Sequence, residues 1–327
     1  MFACLFRGKT IENLILALVA GLKLYLFLIY GNVSPVFSIL EILRVRYFYS
    51  LLAATALMSS AAMADGHETT PAWLDRTTLS VSESQDSDVN FEFETIQPLM
   101  QTPETLRHTV FFQGRLASQD GDETVNLGLG YRNLSEDEQV LYGVNAFYDA
   151  TSEYKHRRGS VGFEALGKSY TFRGNVYSAF SKEKSKIKGA VTTYQSALDG
   201  YDYSLEMPVP YTPWARLNAT GYKWTAKKGF DDISGARVTL LGNLNKQVSF
   251  EVGADHNNYQ GTDAFVKLMW NIDGNPSNGV KATLADGASD GEIFATRNLR
   301  DHTLDKVVRN NTIVVQTRGG VVIGRSD

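Results

Sequence analysis

The chain has 327 residues, 43% of them hydrophobic and 21% charged, with a mean hydropathy of −0.20. That mixture excludes a disordered chain, and a formal net charge of −4 excludes a general electrostatic binder of nucleic acid. A single cysteine, Cys4, excludes a disulfide framework and a cysteine-based zinc site.

Two apolar stretches come first. Leu14 to Tyr30, interrupted by Lys23, is about long enough to span a bilayer and reads either as an inner-membrane anchor or as an extension translated from too far upstream. The second reading is favoured, with the true start near Arg44 at a non-AUG codon. From there Arg44-Val45-Arg46, an apolar run from Tyr47 to Ala62 and the A-x-A site Ala62-Met63-Ala64 make a secretory signal peptide, with cleavage expected after Ala64. Removing residues 1–64 takes away five basic and two acidic side chains and Cys4. What remains is 263 residues, cysteine-free, with a formal charge of −7.

After a short lead, 65–75, the sequence alternates with a period of two. Val125, Leu127, Leu129 and Tyr131 interleave with Asn126, Gly128, Gly130 and Arg132, and similar stretches recur as far as Asn271. The predicted strands are 76–83, 88–98, 108–118, 123–133, 138–150, 156–167, 169–181, 199–208, 214–225, 234–243, 248–258 and 263–272. Twelve is an even number, and a strand of about ten residues tilted near 40° covers roughly 25 Å, the apolar height of an outer-membrane barrel. Short links at 133–137, 167–168 and 208–213 alternate with longer or more charged ones at 150–155, 182–198 and 226–233. Tyr142, Tyr148, Trp214, Trp224 and Trp270 near strand ends suit an interfacial aromatic girdle.

Alternation alone does not separate a soluble barrel from an inside-out one. The polar face decides, because it carries both signs of charge at mid-strand: Glu92, Glu94, Arg115, Arg132, Glu164, Arg173, Glu206, Arg216, Glu251 and Lys267. Such charges are tolerated in a wet lumen and costly against lipid. The expected fold is an all-β, twelve-stranded antiparallel transmembrane barrel over 76–272. Its expected pore lining includes Glu92, Glu94, Arg115, Arg132, Glu164, Arg173, Arg216 and Glu251.

Leu127-Gly-Leu-Gly-Tyr-Arg132, Gly143-Val-Asn-Ala-Phe-Tyr-Asp149, His156-Arg-Arg158, Gly162-Phe-Glu164, Gly200-Tyr-Asp202 and Gly253-Ala-Asp-His256 occur in an order that resembles the intimin/invasin family barrel, the inverse autotransporter β-domain. Beyond the last strand, 304–315 is similar to that family's linker, with Asp305, Arg309, Asn310 and Asn311 as the matching residues. The resemblance covers roughly 76–318. It implies an outer-membrane location, a periplasmic N-terminus, and a linker that re-enters the pore to emerge at the cell surface carrying adhesive domains. It also implies lipid and lipopolysaccharide, the barrel assembly machinery and periplasmic chaperones as partners, with a host or cell-surface receptor only if a passenger exists. Two departures are expected: the 65–75 lead has no room for a peptidoglycan-binding module, and no passenger follows Arg318. The remaining segment, 273–327, is expected to be a linker. Its stretch from Thr312 to Gly324 reads as two short strands about Gly319-Gly320, either a hairpin lodged in the pore or a frayed tail.

A search for reactive chemistry yields little. His67, His108, His156, His256 and His302 are scattered, and Asp255 and His256 should face opposite ways on a strand. Arg157-Arg158 reads as a solvated rim or a contact for anionic lipopolysaccharide. Gln119 to Glu123 has the composition of a calcium loop but reads as a hairpin turn. Glu92 or Glu94 should pair with Arg115. No enzyme activity, cofactor or metal is expected. A translocator or anchor barrel of the inverse autotransporter type, exporting or holding a C-terminal segment, is the leading reading, and a stand-alone porin plugged by its own tail is the alternative.

Overall fold

A computed structural model describes residues 74–322 except Asp86, Asp88, 120–121, 189–190, Asp290 and 318–319. Ala64, the expected cleavage site, and His67 lie outside the described residues. Twelve antiparallel strands close into a barrel: β1 (Thr77–Ser84), β2 (Asn90–Gln101), β3 (His108–Gln119), β4 (Asp122–Leu134), β5 (Val140–Thr151), β6 (Arg157–Gly167), β7 (Thr171–Ala179), β10 (Asp199–Val209), β11 (Thr212–Thr225), β12 (Ile233–Asn243), β13 (Val248–Asn257) and β14 (Gly261–Asn271). Each pairs with its neighbour around the ring, and β1 closes on β14 through Thr78↔Asn271 to Ser84↔Phe265.

The two faces settle which way out the barrel is. Phe91, Leu116, Leu129, Val144, Val161, Phe172, Val176 and Val238 are exposed on its outside, Val161 at 62%. Glu92, Arg115, Arg132, Glu164, Arg173, Glu206, Arg216 and Lys267 are buried within. An apolar exterior around an ionic interior is the inside-out pattern of a chain dissolved in lipid.

One end of the barrel carries the turns 102–107, 135–139, 168–170, 210–211 and 244–247. At the other end, two connections are long. Residues 226–232 form one. The other, read from the sequence as a long polar connection over 182–198, holds a hairpin, β8 (Lys184–Lys188) with β9 (Val191–Ala197). The remaining connections at this loop end are short, so the size asymmetry rests on these two.

After β14 the chain turns back and enters the barrel from the turn end. Its last described strands, β15 (Val315–Thr317) and β16 (Gly320–Val322), pair with each other, and β15 pairs with β9, giving a second sheet in the order β16-β15-β9-β8. The expected Gly319-Gly320 turn needs correcting: Gly320 is the first residue of β16 and pairs with Thr317, and Gly319 lies outside the described residues. The two strands sit on the outer hairpin, whereas the pore is occupied by the extended segment before them.

Candidate functional site

The inner surface is built from residues that the alternation turns inward, and its shape begins with glycine. On β4, Gly128 and Gly130 face the lumen opposite Phe147 of β5 and Phe111 of β3. A Cβ at either glycine would overlap the facing ring, so the missing side chains let both rings lie flat across β4. Gly143 of β5 makes the same allowance for Glu164 of β6. The small residues of these motifs are the space that the large ones occupy.

Two arginines stand on this floor. Arg132 lies 4.7 Å from the centre of the Phe111 ring and donates through Nε to Glu164 at 2.6 Å. Its Nη1 then donates to the carbonyl oxygens of Thr303 (3.0 Å) and Asp305 (2.6 Å). Arg158 of β6 repeats the arrangement: it lies 4.5 Å from the Tyr177 ring, is braced by Asp149 at 2.8 Å, and donates to the carbonyls of Asn310 (2.7 Å) and Thr312 (2.9 Å). Arg132 thus reads the turn at Thr303–Leu304, where Thr303 has helical backbone and the Asp305 amide returns to the His302 carbonyl, and Arg158 reads two alternate carbonyls farther along the linker. Ion-assisted donors make these bonds stronger than ladder bonds.

Between the clamps the wall continues to read main chain. Gln113 of β3 accepts from the Val307 amide at 2.8 Å and donates to its carbonyl at 3.5 Å. Asn126 of β4 donates to the Asn311 carbonyl at 2.8 Å, Asn175 of β7 to that of Val308 at 3.4 Å, and the Asn310 amide donates to the Tyr177 hydroxyl at 2.7 Å. Apolar seats alternate with these bonds. Leu299 packs with Leu134, Leu141 and Leu166 near the turn end, Val307 with Ile96, Phe111 and Phe147 at mid-height, and Val314 with Tyr177, Leu198, Trp224 and Ile233 at the loop end.

Linker side chains contribute as well. Arg309 makes two bonds to Asp149, at 3.1 and 2.6 Å, and lies 4.4 Å from the Phe147 ring. Lys306 approaches Glu94 at 3.5 Å, while Asp305 pairs with His302 at 2.6 Å and with Lys281 at 3.6 Å. At the turn end Arg297 donates to the Gly167 carbonyl and Arg300 pairs with Glu138. Asn310 and Asn311 meet the wall chiefly through their main chain, and the Asn311 side chain accepts from Arg309.

Of the anticipated lumen pairs, Glu92 bonds Arg115 at 2.6 Å and also Lys267 at 2.8 Å. Glu94 stands opposite Arg115 in the β2–β3 register, accepts from Gln113 and faces Lys306. Glu206 gathers Arg173, Arg216 and Arg297. Glu251 on β13 stands beside Lys267 on β14 and borders a cavity of about 190 Å³. That cavity runs beside the linker along the opposite wall, from Gln260 and Asn257 at the loop end past Thr239 to Asn271 and Asn278 at the turn end.

Two sequence expectations need correcting here, and one residue was passed over. Trp224 is no girdle residue: it is buried in the lumen against Tyr177, whereas Tyr142 and Tyr148 do face outward. Arg157 and Arg158 are not one basic rim, because alternation exposes the first and buries the second on the linker. Asp149, quoted only as part of a motif, is the carboxylate on which Arg158 and Arg309 converge. The period-two rule applied to Arg157-Arg158 was the signal available for this.

The histidines engage local partners. His108 bonds Tyr131, His156 bonds Ser181, and His256 bonds Thr262, while Asp255, on the other face, holds Arg237 and Tyr222. Among the described residues no three His, Cys, Asp or Glu side chains are grouped to hold a metal ion. β3 and β4 pair up to Gln119↔Asp122, as a hairpin requires.

A closed twelve-stranded barrel with an apolar exterior, an ionic lumen and its own chain threaded through it defines a bacterial outer-membrane β-barrel protein. The family model for the inverse autotransporter β-domain matches residues 52–311, and the chain belongs to that family. Among solved structures, it is similar to a membrane protein from a study of the mechanism of in-meso crystallization (17% identity, TM-score 0.57, covering 74% of this chain and 99% of that one). It is also similar to the KdgM porin (8%, 0.41, 59% and 98%) and to the Salmonella typhi outer membrane phospholipase dimer with bound calcium (14%, 0.40, 63% and 94%). At such identities the likeness is one of fold.

Proposed function

We propose that this barrel is a translocator and anchor that holds an extended polypeptide in its lumen and presents its C-terminal continuation at the cell surface. The observation that carries this reading is the pair of arginine clamps, Arg132 on carbonyls 303 and 305 and Arg158 on carbonyls 310 and 312. A lumen built to pass small solutes has no need of donors spaced to meet main-chain carbonyls, whereas a lumen that guides polypeptide needs contacts independent of side chain. In this reading the turn end faces the periplasm and the loop end the exterior. Assembly involves the barrel assembly machinery and periplasmic chaperones, and the outer rim meets lipopolysaccharide. Adhesion is a property of whatever segment the barrel displays, and a host or cell-surface receptor would be bound by that segment. The test is an epitope placed at Asp327: intact cells should be labelled, and labelling only after permeabilisation would sink the proposal.

The cavity beside the linker supports a second reading, a porin with a resident plug. Planar-bilayer conductance of the whole chain and of a chain lacking 302–327 separates the two when set beside the epitope result. A large rise on deletion, with no surface labelling, favours the plug.

A further inference from the structure

We propose that Arg309 sets the register of the linker, acting as the stop at which a sliding chain comes to rest; this rests on the translocator reading above. Arg132, Gln113, Asn126, Asn175 and Arg158 all engage linker main-chain atoms. Main-chain carbonyls recur at every residue, so beyond the Thr303–Leu304 turn a chain displaced by two positions again offers acceptors to Gln113, Asn126, Asn175 and Arg158. These contacts guide an extended chain without choosing where it halts. The choice must come from side chains.

Arg309 occupies a seat that fits it in shape and charge. Phe147 forms one side at 4.4 Å and Tyr177 another at 5.6 Å. Both oxygens of the fully buried Asp149 meet the guanidinium, in the two-pronged geometry that arginine supports and lysine does not. Asp149 is held in place by Arg158 and Asn126. Two residues earlier, Val307 fills the apolar seat of Ile96, Phe111 and Phe147. Val-x-Arg is therefore a two-point key. From 302 to 317 Arg309 is the only arginine, so a slip of two residues either way puts Val307 or Asn311 beside Asp149 and strips a buried carboxylate of one partner.

The key should be transplantable. In the double variant R309V/N311R the Val-x-Arg pattern stands two residues later, so seating it draws the linker two residues toward the turn end. Register is read on the outer sheet, where Gln316 stands opposite Ser196. In a C4S full-length chain in the outer membrane, oxidation should link S196C with Q316C and leave S196C with R318C unlinked. In R309V/N311R the 316 pair should fall and the 318 pair rise, each by about tenfold, the scale on which a buried charge pair acts. R309V alone should weaken the 316 pair without favouring the 318 pair. Heat-modifiable migration reports assembly of the barrel, and where R309V does not assemble, R309K, with a single donor centre for two oxygens, should still lower the native link. A 316 link that stays dominant in both R309V/N311R and the single variant overturns the stop. An Asp327 epitope left unlabelled on intact cells of the parent overturns the export reading and the stop with it. Labelling with an unmoved link overturns the stop alone.

Discussion

Phe111 lies across Gly130 so closely that even a methyl group at that position would overlap its ring. The ring is in turn the platform for Arg132, which holds the linker at 303 and 305. A glycine on one strand, an aromatic on the next and an arginine two residues along form a single stacked unit. Gly130→Ala should therefore act at a distance from itself. Overpacking of this kind costs about 1–3 kcal/mol. The expected result is a lower temperature of heat-modifiable unfolding together with faster proteolysis of the linker. Unchanged values in both measurements would mean that the ring shifts freely and that the stack is not a support.

Arg132 also satisfies Glu164, whose side chain is buried at 2% exposure. Removing the arginine alone has two effects, a stranded carboxylate and a released linker, and the first is expected to cost about 3–5 kcal/mol. Arg132→Met should lower barrel stability by that order. Adding Glu164→Gln should restore much of the stability without restoring the linker bonds. In the double variant, single-channel conductance should stay raised while the unfolding temperature recovers. Recovery of both together would show that the clamp on carbonyls 303 and 305 contributes nothing.

His156 closes the loop end beside β6. Burial, reinforced by nearby Lys184 and opposed by Asp122, pushes its imidazole down to about 4. The folded loop thus keeps a neutral ring where the opened loop would take a proton near its usual value of about 6.5. The stabilisation is fully present above about 6.5 and is lost as the pH falls toward 4, because the open form binds the extra proton. Amide exchange at Thr151, which donates to the His156 carbonyl, should accelerate across that interval once its intrinsic pH dependence is removed. His156→Gln should flatten the response, and a flat response in the parent chain would discount the buried neutral ring.

The barrel was legible in the sequence because period-two alternation is local. Val125 to Arg132 shows its two faces without reference to anything else, and the sign of charge at mid-strand says which face is wet. The linker was not legible to the same degree. The wall partners of its 304–315 stretch stand from 81 residues away (Ile233 from Val314) to 212 (Glu94 from Lys306), and most of its bonds use carbonyls that every residue carries, so no residue type marks them. Arg158 was hidden by its neighbour: as a dipeptide, Arg157-Arg158 looks like one basic spot, and only strict alternation sends one side chain outward and the other into the pore. The β8–β9 hairpin was missed because Lys184 to Lys188 shows a single apolar residue, Ile187, too few for an alternating pattern, and the edge of β9 is paired by β15, a strand far along the chain.

The closure of the barrel rests on a similar long-range pairing. Glu92 on β2 reaches over β1 to Lys267 on β14 at 2.8 Å, and it bonds Arg115 on β3 at 2.6 Å. The bridge is possible because β1 presents Ser80 and Ser82 inward beneath it, side chains too short to separate the two. The last strand is thus tied across the first to β2 and β3 by one carboxylate. Glu92→Gln should deprive two buried cations of the carboxylate that both meet and cost about 3–5 kcal/mol. Its effect should concentrate at the seam, as faster amide exchange along Thr78 to Ser84 than along β5 or β6. Replacing all three residues together with apolar ones of similar volume should return most of the stability, because the penalty arises from breaking the set and not from lacking it. Uniform loosening of every strand by Glu92→Gln would show that the bridge contributes general stability with no particular role in closure.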